Sequence, residues 1–185
     1  MARIDDIIIG KSVAIEEVKN LVQAVSKTST TVLVQGETGT GKEVISRAIH
    51  ELSGRKGKLI SVNCAAIPAE LLESELFGHE KGSFTGAEKT RAGRFEQAHK
   101  GTLFLDEIGD MAMPLQSKLL RALEQRVIQR VGGNEEIVID FRLVCATHQH
   151  IESKIDEGLF RSDLFYRINV FPVQVPSLAE RAVDI

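Results

Sequence analysis

Cysteine is scarce in this chain: Cys64 and Cys145 are the only two in 185 residues. Each sits in an apolar context without paired metal-ligand spacing, which argues against a disulfide scaffold and a thiolate metal centre. They read as buried thiols with no redox role. An excess of basic residues is also missing. The formal net charge is -3, so no global positive field draws the chain to nucleic acid, and any DNA contact belongs elsewhere in the protein. No run reaches the length of a membrane-spanning helix, and the N-terminus lacks the shape of a signal peptide. A soluble, cytoplasmic protein with no membrane partner is expected. Internal repeats, low-complexity tracts and linkers are absent as well. With 43% hydrophobic and 26% charged residues, the chain can bury one sizeable core and reads as one domain over 1–185.

What is present begins with Gly36-Glu37-Thr38-Gly39-Thr40-Gly41-Lys42, which follows the apolar stretch 31–35. The pattern fits a phosphate-binding loop. Its glycines let successive backbone N–H groups turn inward, the following helix adds the positive end of its dipole, and the Lys42 ammonium reaches the terminal phosphates. The usual next residue is Ser or Thr, whose hydroxyl helps to hold magnesium; here it is Glu43. Glu43 either breaks the motif or marks a branch of nucleotide hydrolases. The strand before, the helix after and an acidic motif downstream favour the branch.

That acidic motif is Gly101-Thr102-Leu103-Phe104-Leu105-Asp106-Glu107, an apolar strand ending in two carboxylates. Asp106 is the expected magnesium ligand, directly or through water. Glu107 is the expected group to orient and polarise the attacking water. Two carboxylates at a helix start are the bland alternative, disfavoured by the phosphate loop upstream.

Apolar positions Val13, Ile15, Val18, Leu21, Val22 and Val25 form a helical stripe. Strands are expected at 31–35, 58–62, 102–105, 142–146 and 170–175, and helices at 42–52, 69–77, 115–124 and 151–157. This alternation predicts an α/β fold with a parallel sheet between helices. Pro68 and Pro114 fall where helices begin, and Gly132-Gly133-Asn134 reads as a hairpin turn between Val131 and Ile137. The stretch 75–87 does not suit a core element. It places Phe84 among small residues, where it either projects and awaits a partner or tucks into the core.

Taken together, GETGTGKE, GSFTGA, GTLFLDE and FRSDLFYRINVFP resemble the AAA+ ATPase domain of bacterial enhancer-binding proteins, the activators of sigma-54 RNA polymerase. The resemblance spans nearly the whole chain and implies a P-loop NTPase three-layer sandwich that hydrolyses ATP with Mg2+. It implies that Gly82, Ser83, Phe84, Thr85, Gly86 and Ala87 form the loop that touches sigma-54, with Phe84 and Thr85 in contact. Ser83 departs from the usual Ala. Asn63 matches the switch residue that holds the catalytic Glu off water, or it is a turn former after a strand. Thr147 matches the first sensor of the γ-phosphate. His148 follows it where Asn is usual, and Thr147-His148 with Ile151-Glu152 weakly favours the flagellar master-regulator branch.

Arg161 and Arg167 match arginine fingers that enter a neighbour's site in a hexameric ring; otherwise they are solvated helix residues. Ile9 and Gly10 match the place where the backbone meets the base. The end of the sequence, 179–185, resembles the LRERxxDI segment before the family's helical lid. Lid, second sensor, sensory domain and the helix-turn-helix that binds enhancer DNA are therefore expected outside this chain. A second expectation is a module that senses a nucleotide or cyclic-di-GMP by occupancy, regulating flagellar or biofilm genes. Arg47 would then meet the anion, or else is simply exposed. A small-molecule kinase is a third, with no acceptor pocket legible.

Overall fold

The computed structural model describes residues 3–184, so Ile185, the end of the LRERxxDI-like segment, lies outside the described residues. The chain runs through α1 (Ile4–Ile7), α2 (Val13–Ser26), β1 (Val32–Gln35), α3 (Lys42–Ser53), β2 (Leu59–Asn63) and α4 (Ala69–Phe77). It continues with β3 (Gly78–His79), β4 (Arg91–Ala92), α5 (Arg94–Gln97), β5 (Thr102–Asp106), α6 (Met113–Gln125), β6 (Val127–Ile128) and β7 (Ile137–Val138). Last come β8 (Arg142–Thr147), α7 (Ile151–Asp156), α8 (Ser162–Ile168) and β9 (Phe171–Gln174).

Five of these strands form a parallel sheet in the order β2-β5-β8-β1-β9. Alternate side chains serve two cores. Leu33, Leu103, Leu105, Leu143 and Cys145 pack with α4, α6 and α8, while Val32, Val34, Phe104, Val144 and Ala146 pack with α2 and α3. A strand buried on both faces needs apolar residues at every position, which is why TLFL and RLVCA read as continuous runs. The expected three-layer P-loop NTPase sandwich is what forms. Among the described residues no helix is long and apolar enough to cross a membrane.

Local signals set the boundaries. Ser12 caps α2, its Oγ accepting from Ile15 N at 3.3 Å; Pro68 immediately precedes α4, and Pro114 lies in the first turn of α6. Ile15, Val18, Val22 and Val25 of the predicted stripe are buried, whereas Val13 and Leu21 stay exposed. Helix α8 had no clear periodic signal because its seven residues span barely two turns. Both cysteines are buried, as expected; burial pushes the Cys64 thiol up to about 12.

The turn at 132–134 is a correction. Val127 pairs with Val138 and Ile128 with Ile137, so the connection is the longer loop 129–136. Val131 bridges to His79 instead. The sequence showed the glycines, but not that a neighbouring hairpin would claim the strand edge beside them.

Candidate functional site

Parallel topology brings the chemistry to one edge. β8 lies between β1 and β5, with β2 on the far side of β5, and all four carboxyl ends carry or lead into candidate residues: Gln35, just before the loop, pairs in register with Thr147, and Asn63 with Asp106. Such a crossover point is where open α/β sheets place ligands.

The phosphate loop leaves β1 and enters α3 at Lys42. Gly39 and Gly41 take φ of +81° and +92°, a region that a side chain would strain. Gly36 N donates to Thr147 O at 3.2 Å, tying the loop to the end of β8. Lys42 is buried, and its ammonium donates to the carbonyls of Gly36 and Glu37, both at 2.8 Å. Thr40 Oγ1 donates to Glu37 O at 2.8 Å. The loop is thus folded around its own lysine. Glu43 is exposed on the first turn of α3, and Thr38 lies at the loop's exposed crest.

Asp106 closes β5, half-buried, its Oδ1 accepting from Glu107 N at 3.0 Å. Burial first and the neighbouring Glu107 second push its carboxyl above the usual range, while Lys42 opposes them. Glu107 adopts a left-handed backbone (φ 53°, ψ 50°), rare for this residue type and typical of functional positions. Its Oε2 lies 2.6 Å from Nδ1 of His148. Here the structure departs from the reading of Asn63 as the residue that holds Glu107. Asn63 Oδ1 accepts from the amides of Ala65 and Ala66 at 2.9 and 3.2 Å, making it the turn former. β5 is flanked by both strands: His148 follows β8 on one side and reaches Glu107, while Asn63 ends β2 on the other and turns its amide oxygen to the backbone after it. Thr147 is fully buried with its Oγ1 accepting from Gln149 N at 3.0 Å.

The loop of residues 82–87 crowns the β3–β4 hairpin above α4. Phe84 is 42% exposed and meets the His79 ring edge-on, centroids 5.0 Å apart. It therefore projects, braced from one side, and is not part of the core. Thr85 is exposed, Ala87 buried. Beneath, the loop rests on residues 129–136. Glu80 N donates to Val131 O at 3.0 Å, and Arg130 binds Glu80 at 3.2 Å and Glu96 at 2.8 Å. Gly132 (φ +75°) is required there, because an added Cβ would fall 2.5 Å from that of Ser83. Ser83 Oγ is buried with no hydrogen-bond partner among the described residues.

Arg161 and Arg167, at the two ends of α8, both reach α6. Arg161 forks onto Asp163 at 2.9 and 2.7 Å and touches Ser117 Oγ at 3.0 Å. Arg167 is exposed and reaches Leu123 O at 3.4 Å. Neither has a hydrogen bond or ion pair with the phosphate loop or the carboxylates among the described residues. Arg47 is exposed on α3.

A cleft of about 220 Å³ beside the phosphate loop is walled by Ile7, Ile8, Ile9, Val44, Ile45 and Val175, with Gly39–Gly41 at one end. Ile9 is 80% exposed there. Gly10 stands behind this wall, its carbonyl accepting from Lys19 Nζ at 2.8 Å. Arg181 also lines the cleft, and its Nη2 donates to Thr40 O at 2.7 Å. Sequence reading missed Arg181, which lies 141 residues from its partner in the chain. The one signal available was the Glu180-Arg181 pair inside the tail segment.

Residues 8–174 match the family described as the Sigma-54 interaction domain. The DNA-binding transcriptional activator HyfR of Escherichia coli (strain K12) is 56% identical over 179 residues, covering 96% of this chain and 27% of that protein. A Nif-specific regulatory protein of Azorhizobium caulinodans is 55% identical over 179 residues, covering 96% of this chain and 29% of that protein. Among solved structures, NtrX from Brucella abortus in complex with ATP superposes with a TM-score of 0.89 at 40% identity, covering 96% of this chain and 38% of that one. The chain thus spans under a third of the two regulators it matches. Nothing in these matches supports the cyclic-di-GMP reading.

Proposed function

The chain belongs to the Sigma-54 interaction domain family, and on that premise we propose that it hydrolyses ATP and passes the motion to the sigma-54 RNA polymerase holoenzyme through residues 82–87. The observation that carries this reading is the meeting of Lys42, Asp106, Glu107 and Thr147 at one edge of three adjacent strands, with the GSFTGA hairpin rooted on the helix after β2. ATP as the nucleotide is supported by the NtrX complex. In this scheme Lys42 leaves the loop carbonyls for the phosphates, and the inward amides of residues 36–42 hold them. The cleft along Ile7–Ile9 takes the base. A lone half-buried carboxylate beside the loop is the donor set magnesium uses when phosphates supply the remaining ligands, so Asp106 would hold Mg2+, which offsets phosphate charge when bound.

Glu107 receives a proton from the attacking water as that water's oxygen bonds to the γ-phosphorus and the bond from phosphorus to the β,γ-bridging oxygen breaks, ADP leaving in line. Its bond to His148 keeps it away from that role until the site rearranges, the part that the resemblance assigned to Asn63. Thr147, tied through its carbonyl to Gly36, reports the state of the loop. Arg161 and Arg167 act on a neighbouring subunit's site in a hexameric ring; Arg167, more exposed and more weakly held, is the primary finger. The unit 1–185 is the AAA+ core. Enhancer DNA is held by another domain of the intact cytoplasmic protein.

The test is magnesium-dependent ATP hydrolysis against concentration in the intact protein, alongside Glu107→Gln and Arg167→Ala. Turnover that rises steeply with concentration and is lost in both variants supports the reading. Nucleotide binding without turnover at any concentration overturns it.

A further inference from the structure

The segment after β9 folds back onto the nucleotide cleft and is fastened at two points. At one, Asp184 Oδ1 accepts from Lys11 N at 2.6 Å and Ser12 N at 2.9 Å, and its Oδ2 from Ser12 Oγ at 2.5 Å. These bonds hold its carboxyl below the usual range, the Ser12 hydroxyl first and the Lys11 amide next. They also fix the turn that follows the Ile7–Ile9 wall. At the other point, Arg181 Nη2 donates to Thr40 O, in the phosphate loop itself, at 2.7 Å.

Arg181 is left incomplete by these contacts. Its Nε is buried with no hydrogen-bond partner among the described residues, although it belongs to a cation lining a cleft whose other side chains, Thr40 apart, are apolar. A buried donor without an acceptor costs about 1–3 kcal/mol unless something supplies one. The cleft runs from an apolar wall, suited to a planar base, to the loop amides, suited to phosphates. An acceptor that meets Arg181 between them is an oxygen of the ribose. Planar guanidinium is well matched to such oxygens, because it can keep one N–H on Thr40 and give another to the ligand.

We propose that Arg181 is a nucleotide-contacting residue that binds the ribose and so makes residues 177–184 a strap that senses occupancy of the cleft. The inference rests on the reading of the phosphate loop as an ATP site. Binding then changes the tail directly, because Arg181 lies three residues before Asp184, which holds the Ser12 cap of α2.

Calorimetric binding in the intact protein tests it, with ADP, ATP and inorganic tripolyphosphate as ligands and with Arg181→Ala, Arg181→Lys and Lys42→Ala as variants. A charge-assisted hydrogen bond lost at a buried site weakens affinity about tenfold or more. Arg181→Ala should therefore lose about tenfold for ADP and ATP yet bind tripolyphosphate like the unmutated protein, with Arg181→Lys recovering part of the loss. Equal losses for nucleotide and tripolyphosphate would mean that Arg181 only props the loop, and the proposal falls. Unchanged nucleotide affinity in Arg181→Ala also overturns it, while leaving the ATP site intact. If instead Lys42→Ala binds ATP as well as the unmutated protein, the ATP site itself is wrong and the strap falls with it. Circular dichroism of each variant separates these outcomes from loss of fold.

Discussion

Arg142 carries the most demanding structural load outside the site. It begins β8, the strand that ends in Thr147, and it is 1% exposed. Its Nη1 donates to Ser26 O at 2.8 Å, Nη2 to Val25 O at 2.7 Å and Nε to Thr30 O at 3.2 Å. Burial pushes its pKa down to about 10, which leaves the charge in place at neutral pH. No carboxylate pairs with it; the end of α2 and the loop after it do, through carbonyls that the helix cannot use. Replacing a buried ion pair with apolar residues can be neutral or stabilising, because both partners leave together. Here only the donor leaves. Val25 O keeps the amide and hydroxyl of Thr28, so two carbonyls, Ser26 and Thr30, are orphaned at about 1–3 kcal/mol each. The relieved desolvation of the guanidinium returns part of this. Arg142→Met, which refills most of the volume, is therefore expected to destabilise by about 3 kcal/mol, or about 6–12 °C in Tm for a chain of this length. Urea unfolding at constant slope measures it. A Met variant within about 0.5 kcal/mol of the unmutated protein would show that Arg142 fills space and does not satisfy carbonyls.

Two further substitutions probe the site. His148→Ala frees Glu107 from its 2.6 Å partner; with His148 nearly half exposed the bond is worth about 1 kcal/mol, so basal ATP turnover should rise about fivefold with ATP affinity unchanged, and a fall in turnover would refute the holding role. Ser83→Ala removes a buried hydroxyl with no partner, so stability should stay level or rise by about 1 kcal/mol in thermal unfolding; a clear loss would mean the hydroxyl has an acceptor after all.

The fold class was legible in the sequence, and so were the loop and the carboxylates on which the proposed chemistry rests, because each depends on residues close together in the chain. GETGTGK needs only its neighbours to form a phosphate loop, and TLFLDE needs only a strand to bring its carboxylates to an edge. Runs such as RLVCA announce a strand buried on both faces before any partner is known. Local chemistry also marked Pro68 and Pro114 as helix starts.

Tertiary structure decided which groups meet across long separations. His148, just beyond β8 on one side of β5, meets Glu107, whereas Asn63, on β2 at the other side, is taken up by the backbone amides that follow it; no local pattern encodes a strand order. The loop at 129–136 opened wider than its glycines suggested because the β3–β4 hairpin took up Val131. Arg142 and Arg181 look like ordinary surface cations in the sequence; only the packed fold turns one into the cap of a distant helix and sets the other against the phosphate loop. Contacts of this kind are fixed by the free energy of the whole packed arrangement, in which a donor buried beside a distant carbonyl must find it or leave both unsatisfied.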